Sequence, residues 1–334
     1  MKMTFRWYGK SDKIPLKHVA QIPGINGVVT SLIDIPVGDV WPMDELIELK
    51  ENVNSYGLNL DVIESVNVHE DIKLGLESRD AYISNYKETL KNLSQIGIKT
   101  VCYNFMPVVD WTRTNLLYEL PNKSKALRFE MSDFAAYDVY YLQRENAENA
   151  YEADVLAKAK QRFDAMTDLE KDLLEKNIIA GLPGGEGSYD RQSILVAITE
   201  FIQLGTEKFR ENLIEFLREI IPVAEAAGVN MCIHPDDPPF SLFGLPRVVS
   251  TASDVRVLLD AVPSIANGLT LCAGSFGVRA DNNLIEMVKE FGNKIHFVHL
   301  RNVTRDADGS FCESEHLDGD NDMVGLIQAL LAEE

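Results

Sequence analysis

Short apolar runs alternate with longer amphipathic segments over the first 105 residues of this chain. Apolar runs of about five residues predict buried strands, whereas apolar residues that recur every three or four positions predict helices. We therefore expect strands at residues 3–8, 25–32, 58–63 and 99–105. The helices between them are expected at residues 16–21, 42–57 and 81–96. This alternation predicts parallel βαβ units.

The same alternation returns after residue 206. Further strands are expected to begin at Val229, Leu269 and Ile295. The helices of this part are expected at residues 207–227, 253–259, 284–291 and 323–334. We therefore expect an α/β fold of the (β/α)8 TIM-barrel type, as one domain over residues 1–334. Such a barrel has eight strands and this count gives seven, so the eighth strand is expected not to be in this sequence. Either the barrel is distorted, or the sequence stops short of the native C-terminus.

Residues 111–185 interrupt the alternation and predict a helical insertion after strand four. No strand is expected in residues 111–185, and segments rich in Glu, Lys and Ala predict helices at residues 131–144, 147–161 and 168–176. Residues 116–127 are expected to form a loop or a short hairpin. Residues 181–187 are rich in glycine but lack the Gly-Lys-Ser/Thr ending of a phosphate-binding loop, so we interpret them as a connection. Because the insertion follows strand four at its carboxyl end, we expect it to cover the barrel mouth or to form an oligomer contact.

Three successive strands in the second half end on residues that can bind a metal ion. The run from Val229 ends at His234, just before a segment with three prolines that forbids a regular element, and the next two runs end at Cys272 and His299. The carboxyl ends of parallel strands converge on one face of a barrel. Imidazole and thiolate groups are good ligands for divalent transition metals, so we predict that these three residues share one ion. The alternative is that each imidazole is satisfied by hydrogen bonds and that the cysteine is a small buried hydrophobe.

Composition and charge narrow the classes of function. The chain has 334 residues, of which 46% are hydrophobic, and a net charge of −20 from 32 Lys and Arg against 52 Asp and Glu. Such an acidic surface repels phosphate backbones and argues against nucleic-acid binding. The sequence lacks both the roughly 18 consecutive apolar residues of a membrane span and the features of a signal peptide, so we expect a cytoplasmic protein with no membrane partner. Four cysteines are too few for a disulfide framework, and Cys102 and Cys232 are expected to be small buried hydrophobes.

Motifs spread along the whole chain resemble those of the mannonate dehydratases. They are Arg6-Trp7-Tyr8-Gly9, Ile35-Pro36-Val37-Gly38, Val62-Ile63-Glu64-Ser65, Tyr103-Asn104-Phe105-Met106-Pro107, Asp110-Trp111-Thr112-Arg113, Ile233-His234-Pro235-Asp236-Asp237-Pro238-Pro239, Gly244-Leu245-Pro246-Arg247, Gly274-Ser275-Phe276-Gly277-Val278-Arg279-Ala280-Asp281 and Val298-His299-Leu300-Arg301. The resemblance implies a xylose-isomerase-like TIM barrel with Mn²⁺ or Fe²⁺ as cofactor. The implied reaction is the dehydration of D-mannonate to 2-keto-3-deoxy-D-gluconate in glucuronate breakdown.

The resemblance also implies roles for individual residues. The family's His, Cys and His metal ligands fall on His234, Cys272 and His299. Its fourth ligand, an Asp, and its acid–base His and Tyr belong to a C-terminal strand and tail that are not in this sequence. The catalytic residues therefore stay unassigned, and a protein that ends at Glu334 is expected to be inactive.

An extended polyol acid needs polar groups besides a metal ion to hold it. The candidates lie at strand ends and in loops at the barrel mouth, and they are Arg6, Asn104, Arg279 and Arg301. Each of them could instead be a surface residue or an ion-paired residue. The expected partner is a small sugar acid, and the expected assembly is a homodimer. Two other classes stay open: a sugar isomerase on the same barrel, whose metal sites favour carboxylates over cysteine, and a non-catalytic sugar-acid binder.

Overall fold

Two β-sheets organise the computed structural model, which describes residues 1–179 and 189–334. Numbered along the chain, the strands are β1 (Met3–Arg6), β2 (Ile25–Thr30), β3 (Asn59–Glu64), β4 (Thr100–Tyr103), β5 (Asn115–Glu119), β6 (Lys125–Phe129), β7 (Asn230–Ile233), β8 (Asn267–Cys272), β9 (Ile295–His299), β10 (Asn302–Arg305) and β11 (Phe311–Ser314). Seven of them form a parallel sheet and the other four form an antiparallel sheet.

Helices cover the parallel sheet and fill the long connection after β4. The α-helices are α1 (Leu16–Val19), α2 (Met43–Asn54), α3 (Glu70–Leu74), α4 (Arg79–Gln95), α5 (Met131–Ala135), α6 (Ala153–Ala165), α7 (Asp168–Ile179), α8 (Arg191–Ala227), α9 (Ala252–Ala261), α10 (Ala273–Phe276), α11 (Leu284–Phe291) and α12 (Met323–Glu333). A π-helix (Ala136–Tyr141) continues α5, and 3₁₀ turns occur at Gly9–Ser11, Ala147–Ala150 and Gly292–Lys294.

The parallel sheet contains all seven strands that the apolar runs predict. Its order is β1-β2-β3-β4-β7-β8-β9, so strands that follow one another within the set are also neighbours, as expected for βαβ units. The sheet curls, because β9 also approaches β4 and β7 across the interior. Within the described residues, β1 and β9 are its two edges. The carboxyl ends of all seven strands therefore surround one opening.

Helices α4 and α8 of the outer layer pack against each other and against β4 through aromatic side chains. Tyr86 of α4 meets Phe216 of α8 edge to face, with ring centroids 5.1 Å apart, and both side chains are buried. Helix α8 begins at a capping box made by Asp190 and Ser193, which satisfies backbone N–H groups at its first turn. It breaks at Gly205, whose φ of 75° favours glycine, so the predicted helix at 207–227 covers only the second half of α8. In the described part of the chain, no helix is both long enough and apolar enough to cross a membrane.

The antiparallel sheet corrects the prediction that residues 111–185 contain no strand. Strands β5 and β6 form a hairpin, as one of the two alternatives for residues 116–127 proposed, and β6 pairs with β11 to give the order β10-β11-β6-β5. The pattern did not predict these strands because β5 alternates exposed with half-buried residues and because β11 lies far away in sequence. The polar segment after Arg301 is likewise a hairpin, made of β10 and β11.

The helical part of the insertion agrees with the pattern except at its boundaries. The predicted helix at 131–144 is α5 followed by the π-helix, and the predicted helix at 147–161 is a 3₁₀ turn followed by α6. The third, predicted at 168–176, is α7 and is three residues longer. The glycine-rich residues 181–187 lie outside the described residues.

Candidate metal centre

His234, Cys272 and His299 meet at the carboxyl ends of β7, β8 and β9. Cys272 and His299 are register partners on neighbouring strands, and the backbone N–H of His234 donates to the carbonyl of Tyr103 at 2.7 Å. One ligand atom from each of the three residues lies within 4.8 Å of the other two. Donors bound to one ion at about 2.0–2.3 Å stand roughly 3–4 Å apart, so only a small closure of the side chains is needed. Two imidazoles and one thiolate fit a divalent transition metal.

A backbone contact sets the orientation of the His234 ring. Its Nδ1 lies 2.7 Å from the carbonyl oxygen of Pro235, which can only accept a hydrogen bond. Nδ1 therefore carries the proton, and Nε2 is the nitrogen left for a metal ion. Burial lowers the pKa of His234, but the negative charge of Cys272 outweighs burial and raises this pKa above its ordinary value.

The His299 ring contacts a carboxylate from the other side of the barrel. Its Nε2 lies 3.3 Å from Oε2 of Glu64, which ends β3. Burial opposes a charge on either group, yet their mutual attraction and hydrogen bond prevail. They raise the pKa of His299 to about 10 and hold the pKa of Glu64 well below its usual range. In the metal-free protein, His299 and Glu64 therefore form an ion pair at neutral pH.

Arg301 supplies positive charge beside the Cys272 thiol. Its Nη2 donates to Oδ2 of Asp237 at 2.7 Å and to Oγ of Ser275 at 3.2 Å, and lies 3.8 Å from Sγ of Cys272. Its Nη1 donates to Oε1 of Glu313 at 2.9 Å. Burial alone raises the pKa of Cys272, but the charges of Arg301 and His234 lower it well below its ordinary value. The site thus holds a thiolate, the form that binds metal ions.

Asp237 ties this site to the residues that follow β4. It is 1% exposed, and its Oδ1 accepts a hydrogen bond from Nη1 of Arg113 at 2.8 Å. Arg113 is fully buried, with its guanidinium over the rings of Trp111 and Phe311. Backbone contacts run alongside, because Trp111 forms a bridge with Asp237. The start of the insertion therefore lies against the loop that carries His234.

The four candidates for substrate binding are all held by neighbours within the chain. Arg6 donates to the backbone carbonyl of Glu64, and Asn104 accepts from the N–H of Met106 at 3.3 Å. Arg279 pairs with Asp281 through two hydrogen bonds of 2.9 and 2.7 Å. Arg301 is the candidate closest to the cluster, and its Nε is buried without a hydrogen-bond partner in the described chain. Arg301 lies against Cys272 of the cluster, and Arg6 contacts Glu64, which lies beside His299. A role of any of the four candidates in substrate binding stays a prediction.

Comparison of the whole chain with known proteins decides its family. The family model for D-mannonate dehydratase (UxuA) matches residues 1–334. The chain belongs to the mannonate dehydratase family. The resemblance seen in the motifs is thereby confirmed, and so is the prediction of an enzyme of the hydro-lyase class.

Individual mannonate dehydratases are similar over the full length of this chain. One from Saccharophagus degradans is 64% identical over 334 residues, which are 100% of this chain and 84% of that protein. The crystal structure of mannonate dehydratase from Streptococcus suis serotype 2 is 37% identical, with a TM-score of 0.80 over 100% of this chain and 81% of that one. A xylose isomerase-like TIM barrel protein from Mycobacterium smegmatis is 14% identical, with a TM-score of 0.50 over 96% of this chain and 80% of that one. This last likeness shows the fold alone, which is of the xylose-isomerase-like TIM-barrel type.

Sequence reasoning missed three of the charged residues that surround the cluster. Glu64 occupies a strand end, as the three predicted ligands do, so the same rule would have found it. Asp237 lies three residues after His234 in a motif that was noted but given no role. Arg113 also belongs to one of the motifs that resemble the family's, but arginine is rarely buried and the sequence does not indicate its partner.

Proposed function

We propose that this protein dehydrates D-mannonate to 2-keto-3-deoxy-D-gluconate and water, in glucuronate breakdown, with one Mn²⁺ or Fe²⁺ held by His234, Cys272 and His299. The observation that carries the proposal is the convergence of these three side chains, in a chain that matches the D-mannonate dehydratase family over its whole length. The wider geometry is proposed to be a (β/α)8 barrel with the insertion at residues 111–185.

The surroundings of the three residues support metal binding. When bound, the ion supplies a positive charge that stabilises the enediolate formed as the proton beside the substrate carboxylate is removed. The protein's own residues keep the metal ligands in the protonation state and the orientation that metal binding requires. Arg301 holds Cys272 as a thiolate, and the carbonyl of Pro235 directs Nε2 of His234 toward the cluster. Arg6, which donates to the backbone carbonyl of Glu64, adds positive charge near the barrel mouth, where an anionic sugar acid would otherwise meet a chain of net charge −20.

We also propose that the insertion covers the mouth of the barrel. Trp111 and Arg113, at its start, contact Asp237 directly, and Asp237 contacts both Arg301 and Ser275 beside Cys272. A cover of this kind excludes water from a charged intermediate. A cytoplasmic location is supported by four cysteines that are all free, as in a reducing compartment. The homodimer stays a prediction from the sequence, which light scattering would test.

Turnover of D-mannonate tests the proposed reaction. The protein, in its full natural length, is expected to form a 2-keto acid from D-mannonate when Mn²⁺ or Fe²⁺ is present, and to lose this activity when a chelator removes the ion. D-gluconate, which differs from D-mannonate only in configuration at C2, is the matched control and should react much more slowly. Absence of 2-keto acid with either metal would disprove the proposed function.

Metal binding is expected to release protons. Because the pKa of His299 is raised to about 10 in the metal-free protein, the ring is protonated at pH 8 and must lose a proton before it can bind an ion. Affinity should therefore rise as the pH increases from about 7 toward 10. Calorimetry in two buffers of different ionisation enthalpy measures the number of protons released.

The control for proton release is His296→Gln. His296 lies outside the cluster, with its Nε2 2.8 Å from the carbonyl oxygen of Ile265, so this substitution should leave the proton count unchanged. Binding at pH 8 with no proton release would contradict the assignment of His299 as a ligand.

A further inference from the structure

We propose that Glu64 is a positioning residue of the metal centre, which holds the imidazole of His299 through Nε2 so that Nδ1 faces the ion. This inference rests on the proposed function, since it needs an ion shared by His234, Cys272 and His299. It adds a residue that lies outside the three-ligand cluster.

The first support is the path of the contact. Glu64 ends β3 and His299 ends β9, and these strands are not neighbours in the sheet. The 3.3 Å contact between Oε2 of Glu64 and Nε2 of His299 therefore crosses the barrel interior. Their side chains are only 15% and 26% exposed, so water competes weakly for this contact.

The second support is that Glu64 is itself held in place. Its Oε1 lies 3.6 Å from the thiol of Cys102, whose sulfur in turn accepts a hydrogen bond from Oγ1 of Thr270 at 3.2 Å. Its backbone carbonyl accepts a hydrogen bond from Arg6. A carboxylate fixed at both ends can hold a ring at one angle.

The third support comes from the chemistry of imidazole ligands. A histidine that binds a metal through one nitrogen almost always donates its other N–H to a carboxylate, carbonyl or water, which fixes the tautomer and strengthens the donor. His234 has such a partner in the carbonyl of Pro235. For His299, the carboxylate of Glu64 fills this place at Nε2, which leaves Nδ1 as the nitrogen available to bind an ion.

The inference is tested by metal titration of the full-length protein and its Glu64→Ala and Glu64→Gln variants. Co²⁺ serves as the probe because its visible spectrum reports both coordination geometry and the cysteine–metal bond. Glu64→Ala is expected to weaken Co²⁺ binding about 10–100-fold and to alter the spectrum while the cysteine–metal band persists. Glu64→Gln should weaken binding less, because its side-chain carbonyl still accepts the N–H of His299.

Cys312→Ala is the control. This buried cysteine lies on β11, outside the metal cluster, so its replacement should leave Co²⁺ affinity and spectrum as in the unmodified protein. In the Zn²⁺-bound protein labelled with ¹⁵N-histidine, the spectrum should show a proton on Nε2 of His299. A metal bond at Nε2 would overturn the inference.

The outcomes separate this inference from the function on which it rests. Equal Co²⁺ affinity and identical spectra in the unmodified protein and in Glu64→Ala would overturn the role of Glu64 alone. An unmodified protein that binds no Co²⁺ would overturn the metal centre and the role of Glu64 together. Thermal unfolding of each variant identifies loss of folding, and Glu64→Gln, which keeps the size of the side chain, then decides the question.

Discussion

Replacing Cys272 by alanine is expected to abolish stoichiometric metal binding and to lower turnover of D-mannonate by about 10³-fold or more. The substitution removes one of three donors and leaves the cationic Arg301 facing the vacated position at 3.8 Å. Metal stabilisation of a developing charge contributes several kcal/mol to the transition state, which corresponds to a loss of this size. Elemental analysis of the dialysed protein, together with the 2-keto acid assay, measures both effects.

The matched control is Cys312→Ala. This cysteine is also buried, but it lies on β11 in the antiparallel sheet and outside the cluster. Its replacement should leave metal content and turnover nearly unchanged. Full metal content in a Cys272→Ala variant with undiminished turnover would show that Cys272 is not a ligand.

Replacing Asp237 by asparagine is expected to lower the free energy of unfolding at pH 7 by about 3–5 kcal/mol, because it leaves buried arginine charge without its carboxylate. Asp237 accepts hydrogen bonds from Arg113 at 2.8 Å, Arg301 at 2.7 Å and Ser275 at 2.9 Å. Burial raises the pKa of Asp237, but the charges of the two arginines outweigh burial and hold the pKa well below its ordinary value. Denaturation by urea measures the difference.

The sign of the pH dependence follows from the lowered pKa of Asp237. The stability that its charge provides is fully present above the pKa of an unfolded Asp, near 4, and is lost as the pH falls toward the folded value. The gap between the unmodified protein and Asp237→Asn should therefore be largest at neutral pH and shrink in acid. Asp281→Asn is the control. The side chain of Asp281 is 64% exposed and pairs with Arg279, so this substitution should lower the free energy of unfolding by at most about 1 kcal/mol. Equal effects of the two substitutions would contradict the role given to the buried pair.

The pattern of apolar and polar residues predicted the parallel sheet, because each of its strands can be recognised from its own segment of sequence. The strands of the parallel sheet lie on short segments rich in apolar residues, as in the fully buried β8, and such segments can be recognised without knowledge of their partners. The antiparallel sheet is different, because β5 and β10 are partly exposed and their polar residues resemble those of loops. The pairing of β6 with β11 joins the two hairpins into one sheet, and that pairing is not encoded in either segment alone.

The same distinction applies to the candidate site. His234, Cys272 and His299 were predictable because each ends an apolar run, and equivalent strand ends must converge in a barrel. Arg301 stays a candidate for substrate binding, but its contacts with Asp237 and Glu313 could not be predicted from the sequence. The pairing of acidic with basic side chains around the cluster depends on contacts across the barrel and between the two sheets. Sequence spacing gives no measure of those distances.

The pairing of β6 with β11 also bears on the order in which the protein folds. Arg128 and Cys312 are register partners separated by 312 − 128 = 184 positions. Closing an unstructured loop of that length costs about 4–5 kcal/mol of chain entropy beyond a constant. Contacts among β1–β4, among β7–β9 and within each hairpin close much shorter loops, so we expect these units to form first. The pairing of β4 with β7, which joins Thr100 to Asn230, and the pairing of β6 with β11 then bring them together. Arg113, next to the first hairpin, can then reach Asp237, and the surroundings of the metal-binding residues are completed late. A newly made chain would therefore pass through a stage in which its barrel strands have formed but its affinity for a metal ion is still low.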